Sequence, residues 1–131
     1  MKRCAVRPAT LSDLDWVKRM ADRHRREVGF VLRPALVEAI ERGELLVGIG
    51  ASGFCRWHAR RDGWHTVYEL VSEAPGTGRE LLAAVPRPLR LRCPLDLPAN
   101  GFYARCGGVL VALEPGKRRP LNVWQWSPSS T

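Results

Sequence analysis

The chain has 131 residues, 45% of them hydrophobic, which suits one domain with a single core that needs neither metal nor disulfide staples. The opening MKRCAVRPAT lacks the apolar run of a signal peptide, and no segment approaches the roughly 18 apolar residues of a membrane span, so a cytoplasmic protein with no membrane partner is expected. A net charge of +8, from 21 Lys and Arg against 13 Asp and Glu, favours polyanionic partners such as nucleic acid or a cofactor's phosphates, the alternative being arginines that merely solvate the surface.

In chain order, Cys4 to Arg7 reads as a short strand stopped by Pro8. Thr10 or Ser12 then caps a helix from about Leu11 to Arg26, with Leu14, Trp16, Val17, Met20 and Ala21 as its apolar stripe and Asp13 and Asp15 favouring its first turn. Lys18, Arg19, Arg23, Arg25 and Arg26 fall mostly on the other face, either solvated or phosphate-binding, and His24 among them reads as an exposed helix residue. Gly29-Phe30 breaks this helix; a second runs from Pro34 to Glu41, with Gly43 as its C-cap. The period then changes. Leu45 to Ile49, the turn Gly50 to Gly53 and Phe54 to Arg60 form a hairpin, and Trp64 to Val71 is a third antiparallel strand after the turn Arg61-Asp62-Gly63.

The stretch Tyr68 to Glu80, YELVSEAPGTGRE, organises the rest. A buried strand with Val67, Tyr68, Leu70 and Val71 leads into a loop holding Gly76 and Gly78, and a helix begins near Thr77 and runs through Leu81, Leu82 and Ala84. Such a loop turns backbone N–H groups toward one point and adds the positive end of the helix dipole, an anion site most often used for phosphate. Pro75-Gly76 is also an ordinary turn. Pro86 and Pro88 stop the helix, Leu89 to Cys93 returns as a strand, and Pro98 to Cys106 is a short helix capped by Gly107-Gly108. Val109 to Leu113 and Leu121 to Trp126 are final strands joined by the basic turn Glu114 to Pro120, and residues 127–131 read as a disordered tail after a single domain over 1–126. Cys4, Cys55, Cys93 and Cys106 are scattered without a metal-binding spacing, so reduced thiols and no metal site are expected.

This order of elements, with the glycine loop and the segment Asn100-Gly-Phe-Tyr103-Ala-Arg-Cys-Gly107-Gly108, resembles the Gcn5-related N-acetyltransferase (GNAT) family over nearly the whole chain. The small, basic, shortened chain is also somewhat similar to the phage-encoded Mom-type branch that modifies DNA bases. The resemblance implies an α+β fold (α/β by some schemes): a central, mixed, mostly antiparallel sheet of about seven strands flanked by about four helices. It implies an acyl-CoA-dependent N-acyltransferase that uses acetyl-CoA as acyl donor, with Gly76, Thr77, Gly78 and Arg79 around the pyrophosphate. A backbone N–H near Leu70 or Val71 would hold the thioester carbonyl where the fourth and fifth strands splay apart. Two departures stand out. Glu73 occupies the position of the loop's first Arg or Gln, and the connection from Val71 to Gly76 is about three residues shorter than is usual, so weak or altered cofactor binding is one expectation; Arg79 offers a replacement charge.

Tyr103 matches the family's tyrosine near the cofactor sulfur, where a phenol suits a thiolate leaving group; packing in a short helix is the alternative. Asn100 matches a position that contacts the cofactor's pantetheine arm or caps the helix. Glu69, on the strand entering the loop, is the candidate general base or else a salt-bridge residue, and strand alternation sets it on the face opposite Tyr68 and Leu70. His58 and His65 are further candidates to relay a proton, and some of Trp57, Trp64, Trp124 and Trp126 line or underlie the cleft. The acceptor is a primary amine of a small molecule or peptide, with nucleic acid as the second reading, and a non-catalytic basic nucleic-acid-binding module as the third. A monomer or homodimer is expected.

Overall fold

The computed structural model describes residues 6–128, arranged as two compact units. The first comprises residues up to His58 together with Tyr68–Val85; the second comprises Ala59–Val67 and the residues from Pro86 onward. Seven strands follow one another in the hydrogen-bond order β1-β2-β3-β4-β5-β7-β6, and with five α-helices among the described residues this is the expected α+β class.

In the first unit, β1 (Val6–Pro8) pairs antiparallel with β2 (Leu45–Gly48), and β2 with β3 (Gly53–Ala59). The expected strand start at Cys4 and Ala5 lies outside the described residues. A 3-10 turn, Leu11–Asp13, leads into α1 (Leu14–Arg23), whose Val17, Met20 and Ala21 are buried as the helical spacing requires. They pack with Leu36 and Ala39 of α3 (Arg33–Arg42) and with Leu45, Val47 and Phe54 of the hairpin. Asp13 anchors the entry to α1. Its buried side chain accepts hydrogen bonds from Arg7 Nη1 (2.8 Å) and Nη2 (2.9 Å), the Thr10 amide (2.9 Å) and Trp16 Nε1 (2.9 Å). The Arg7 bond, ahead of the amide and indole bonds, holds this carboxyl well below the ordinary carboxylate range despite burial, which acts the other way.

The single helix expected over Leu11 to Arg26 is instead interrupted at His24, where ψ turns to 29°, and a separate turn α2 (Arg25–Val28) ends at Gly29, which has φ 76°. At this break His24 Nε2 lies 2.6 Å from Glu73 Oε2, while Nδ1 faces Glu27 Oε1 at 3.1 Å. α3 ends where Gly43 adopts the left-handed conformation, as expected. α4 (Thr77–Ala84) lies against the β2–β3 hairpin, and Gly53 permits it: a Cβ there would sit 2.5 Å from Val71 O and 3.1 Å from Thr77 Cγ2.

In the second unit, the first residues of β4 (His65–Ser72) pair parallel with β5 (Leu89–Pro94), from His65↔Leu89 to Val67↔Leu91. β5 pairs antiparallel with β7 (Leu121–Trp126), and β7 with β6 (Val109–Glu114), with a register shift between Leu110 and Ala112. α5 (Ala99–Arg105) contributes Tyr103 to an aromatic group with Trp124 and Trp126. Gly108 gives Trp126 its space, because a Cβ would come within 2.7 Å of the indole. Residues 129–131 of the expected disordered tail lie outside the described residues.

Candidate active site

The loop between β4 and α4 is built by backbone requirements before any side chain enters. Gly76, with φ 84°, is the N-cap of α4, and no side chain caps this helix. The first N–H groups of a helix have no partner one turn earlier, so those of Thr77, Gly78 and Arg79 are directed out of its N-terminus, where the dipole adds positive character. Only the Thr77 amide is drawn back, toward Ala74 O at 3.3 Å. The loop is tied to the hairpin turn by the Glu73 amide on Ser52 O (2.8 Å) and by Thr77 Oγ1, which donates to Ser52 Oγ (3.2 Å). Arg79 is exposed, one turn into the positive end.

Glu73, the residue that disagrees with a phosphate site, is engaged elsewhere. Arg23 donates to it through Nη2 (3.0 Å) and Nε (3.2 Å), and His24 meets its other side. Arg23 first, and then His24, hold the Glu73 carboxyl below its ordinary range. The negative charge the sequence sets in the loop is therefore balanced by α1 and its end, and the same contacts fasten the short loop.

On β4, Val67, Glu69 and Val71 are buried while Tyr68 is 42% exposed, so the alternation holds but Tyr68 is not the buried strand residue expected. Leu70, partly buried, follows on the Tyr68 side. Glu69, the expected base, is 7% exposed, and both of its oxygens accept from Arg56, Nε and Nη2 each at 2.7 Å. That is the salt-bridge alternative. The Arg56 guanidinium in turn stands 4.6 Å from the centre of the Tyr68 ring.

Sequence reasoning missed Glu44. A cleft of about 230 Å³ is lined by Glu38, Arg42, Glu44, Arg56, Trp57, His58 and Tyr68, with Ala35 and Ala39 of α3. Within it His58 Nδ1 lies 2.8 Å from Glu44 Oε1, and the buried Glu44 carboxylate fixes the ring. The pairing follows from register: Leu45↔Arg56 and the Trp57 amide on Glu44 O (3.0 Å) bring residue 44 diagonally beside residue 58. His65 has a plainer task, its Nδ1 donating to Pro88 O at 2.9 Å.

In the second unit, Asn100 Nδ2 donates to Pro94 O and Leu97 O, both at 2.9 Å, and its Oδ1 accepts from Trp124 Nε1 (2.9 Å) and Asn122 Nδ2 (3.0 Å). The side chain braces the start of α5 against β7, the capping alternative. Tyr103 is 7% exposed, its ring edge-on to Trp126 at 6.1 Å and to Phe102 at 5.6 Å. Cys55 is fully buried, which pushes its thiol well above the ordinary range, and burial pushes Cys93 up to about 11, so neither is a ready nucleophile. No group of three or more His, Cys, Asp and Glu suited to a metal occurs among the described residues. No helix there is long and apolar enough to cross a membrane.

No family model matches the chain, and no curated protein matches it. Solved structures do. A GNAT-family acetyltransferase from Bacillus cereus matches with a TM-score of 0.77 at 13% identity, covering 93% of this chain and 95% of that one. Ard1 from Thermoplasma volcanium matches with 0.78 at 16%, covering 92% and 95%. A Mycobacterium tuberculosis protein solved in complex with CoA matches with 0.69 at 16%, covering 86% and 75%. These likenesses establish for this chain the fold of the GNAT acetyltransferases.

Proposed function

We propose that the chain is an N-acyltransferase that moves an acetyl group from acetyl-CoA to a primary amine. The observation that carries the reading is the β4–α4 loop: it opens an eight-residue helix with a left-handed glycine as N-cap and no side-chain cap, and the acidic residue before that cap, Glu73, is balanced by Arg23 and His24. Such a terminus is suited to a pyrophosphate, and a fold neighbour is solved with CoA. In this reading the amides of Gly76, Thr77, Gly78 and Arg79 receive the pyrophosphate and the exposed Arg79 guanidinium adds charge. The Leu70 or Val71 amide polarises the thioester carbonyl, and Asn100 acts as a brace that fixes α5 and so positions Tyr103.

The acceptor arrives as an ammonium ion. One proton leaves to a base, the nitrogen lone pair attacks the carbonyl carbon, and the C–S bond breaks with its electron pair going to sulfur. The second nitrogen proton is lost as the amide forms, and the thiolate takes one from Tyr103, which recovers it. A small-molecule or peptide amine is favoured over a nucleic-acid base, because much of the basic charge is already matched: Arg7, Arg23, Arg33, Arg42, Arg56, Arg90, Arg92 and Arg119 each face a carboxylate. A DNA-modifying enzyme and a basic binding module are the readings that fall if this one stands.

The test is incubation with isotopically labelled acetyl-CoA and, separately, a pool of primary amines, lysine peptides or duplex DNA, with mass spectrometry of each. Labelled amide in an amine or peptide arm, lowered about 100-fold by Tyr103→Phe, is the expected result. Label confined to DNA would replace the acceptor class, and no label in any arm would contradict the reading.

A further inference from the structure

We propose that the Glu44–His58 cleft is the acceptor site, that His58 is the base that deprotonates the amine, and that the acceptor is a small primary amine with an uncharged, apolar or aromatic body. This rests on the acetyltransferase reading and replaces the base that the sequence suggested. Glu69 has both oxygens on Arg56, whereas His58 has one ring nitrogen on a carboxylate. A carboxylate only accepts, so Nδ1 carries the hydrogen, and the base form that the proposal requires has its lone pair on Nε2. Glu44 both sets that tautomer and stabilises the imidazolium that forms.

The lining also selects the substrate. The charged and titratable groups facing His58 are Glu44 before β2, Glu38 and Arg42 on α3, Arg56 on β3 and Tyr68 on β4. Arg42 is paired with Glu38 (2.9 Å) and Arg56 with Glu69 (2.7 Å), so both cleft arginines already face carboxylates and an acceptor carboxylate would have to compete for them. One ammonium fits beside Glu44 and His58, and the Tyr68 ring, Trp57, Ala35 and Ala39 supply apolar walls for the body it is attached to. Arg42 Nη1 lies beside the ring, 3.3 Å from His58 Nδ1 and 3.5 Å from Nε2, and is the exposed group the incoming nitrogen displaces. Tyr68 stands two residues before Leu70 on one side of β4, roughly 7 Å along the strand. The cleft therefore opens on the same strand that carries the amides proposed to hold the thioester carbonyl.

The protein's three histidines make this testable by NMR of 15N-histidine-labelled protein, with His58→Gln assigning the signal. The probe is 2-phenylethylamine, with glycine and spermidine as comparisons. The amine is expected to move the His58 signals and leave those of His24 and His65 in place, with glycine and spermidine weaker. Acetyl transfer to it falls about 100-fold or more in His58→Gln while calorimetric affinity for acetyl-CoA changes less than about twofold, and imidazole restores part of the rate to His58→Ala. Glu44→Gln, which keeps the side chain's shape, lowers the rate about tenfold. Transfer by His58→Gln at the wild-type rate, or no shift at His58, would overturn the proposal, and tighter binding of glycine would overturn its substrate class. If acetyl-CoA itself does not bind, the acetyltransferase reading fails separately and the NMR arm alone decides the cleft.

Discussion

The two units use their polar side chains differently. In the first, Asp13, Glu44, Glu69 and Glu73 are each met by Arg or His side chains, and the backbone amides at the start of α4 face outward. In the second, Asn100 and the indole N–H groups of Trp124 and Trp126 are used up inside, on Pro94, Leu97, Asn122 and Cys106. Charge pairs at a unit's margin leave a surface that recognises ions, whereas satisfied amides under aromatic rings make a scaffold. Ligand recognition is accordingly expected from the loop and cleft of the first unit, and rigidity from the second.

The strongest way to break this contrast is Trp126→Ala. Emptying a site that is 1% exposed costs about 3–5 kcal/mol, read as a lower denaturant midpoint, and a cost below about 1 kcal/mol would show that the second unit is no scaffold. Asn100→Ala follows at about 2–4 kcal/mol, since it takes the acceptor from the Trp124 N–H and from Asn122 Nδ2 and removes one of two donors from each of the carbonyls of Pro94 and Leu97. Asp13→Asn, which removes a buried charge from Arg7, costs about 2–4 kcal/mol by the same measurement.

Asp13 also carries a pH signature. Its folded-state carboxyl is held below the unfolded value, so the unfolded state takes up the proton first and stability falls as pH drops below the ordinary carboxylate range. Stability measured between neutral pH and about pH 3 should therefore decline less steeply in Asp13→Asn than in the parent; equal slopes would contradict this assignment. The smallest effect is expected from Glu73→Gln. It loosens the Arg23 and His24 contacts at an exposed site, lowers stability only slightly, and removes a negative charge from the loop, so acetyl-CoA binds as well or better.

What could be read from the sequence was what local chemistry decides. Gly76 before Thr77, and Gly43 after Arg42, mark helix ends because a left-handed backbone there suits only glycine, and α4 and β7 begin and end where periodicity puts them. The break at His24 was invisible because the partner that meets His24 there, Glu73, is 49 residues away. Glu44 escaped for the same reason: only the β2–β3 register brings it to His58, and within its own stretch it is one acid beside a turn. Glu69 and Asn100 were located on the right elements. Whether a polar side chain meets a ligand or a neighbour depends on partners such as Arg56 and Trp124, which spacing does not reveal.

The most direct test is calorimetric titration of acetyl-CoA into the parent protein and into Arg79→Glu, at low and moderate salt, with a short DNA duplex as comparison. The account predicts one saturable acetyl-CoA site, weakened about tenfold by Arg79→Glu, and no comparable affinity for the duplex at moderate salt. Absence of acetyl-CoA binding alongside steeply salt-dependent duplex binding would contradict it, and would make the basic surface, rather than the loop, the functional part of this fold.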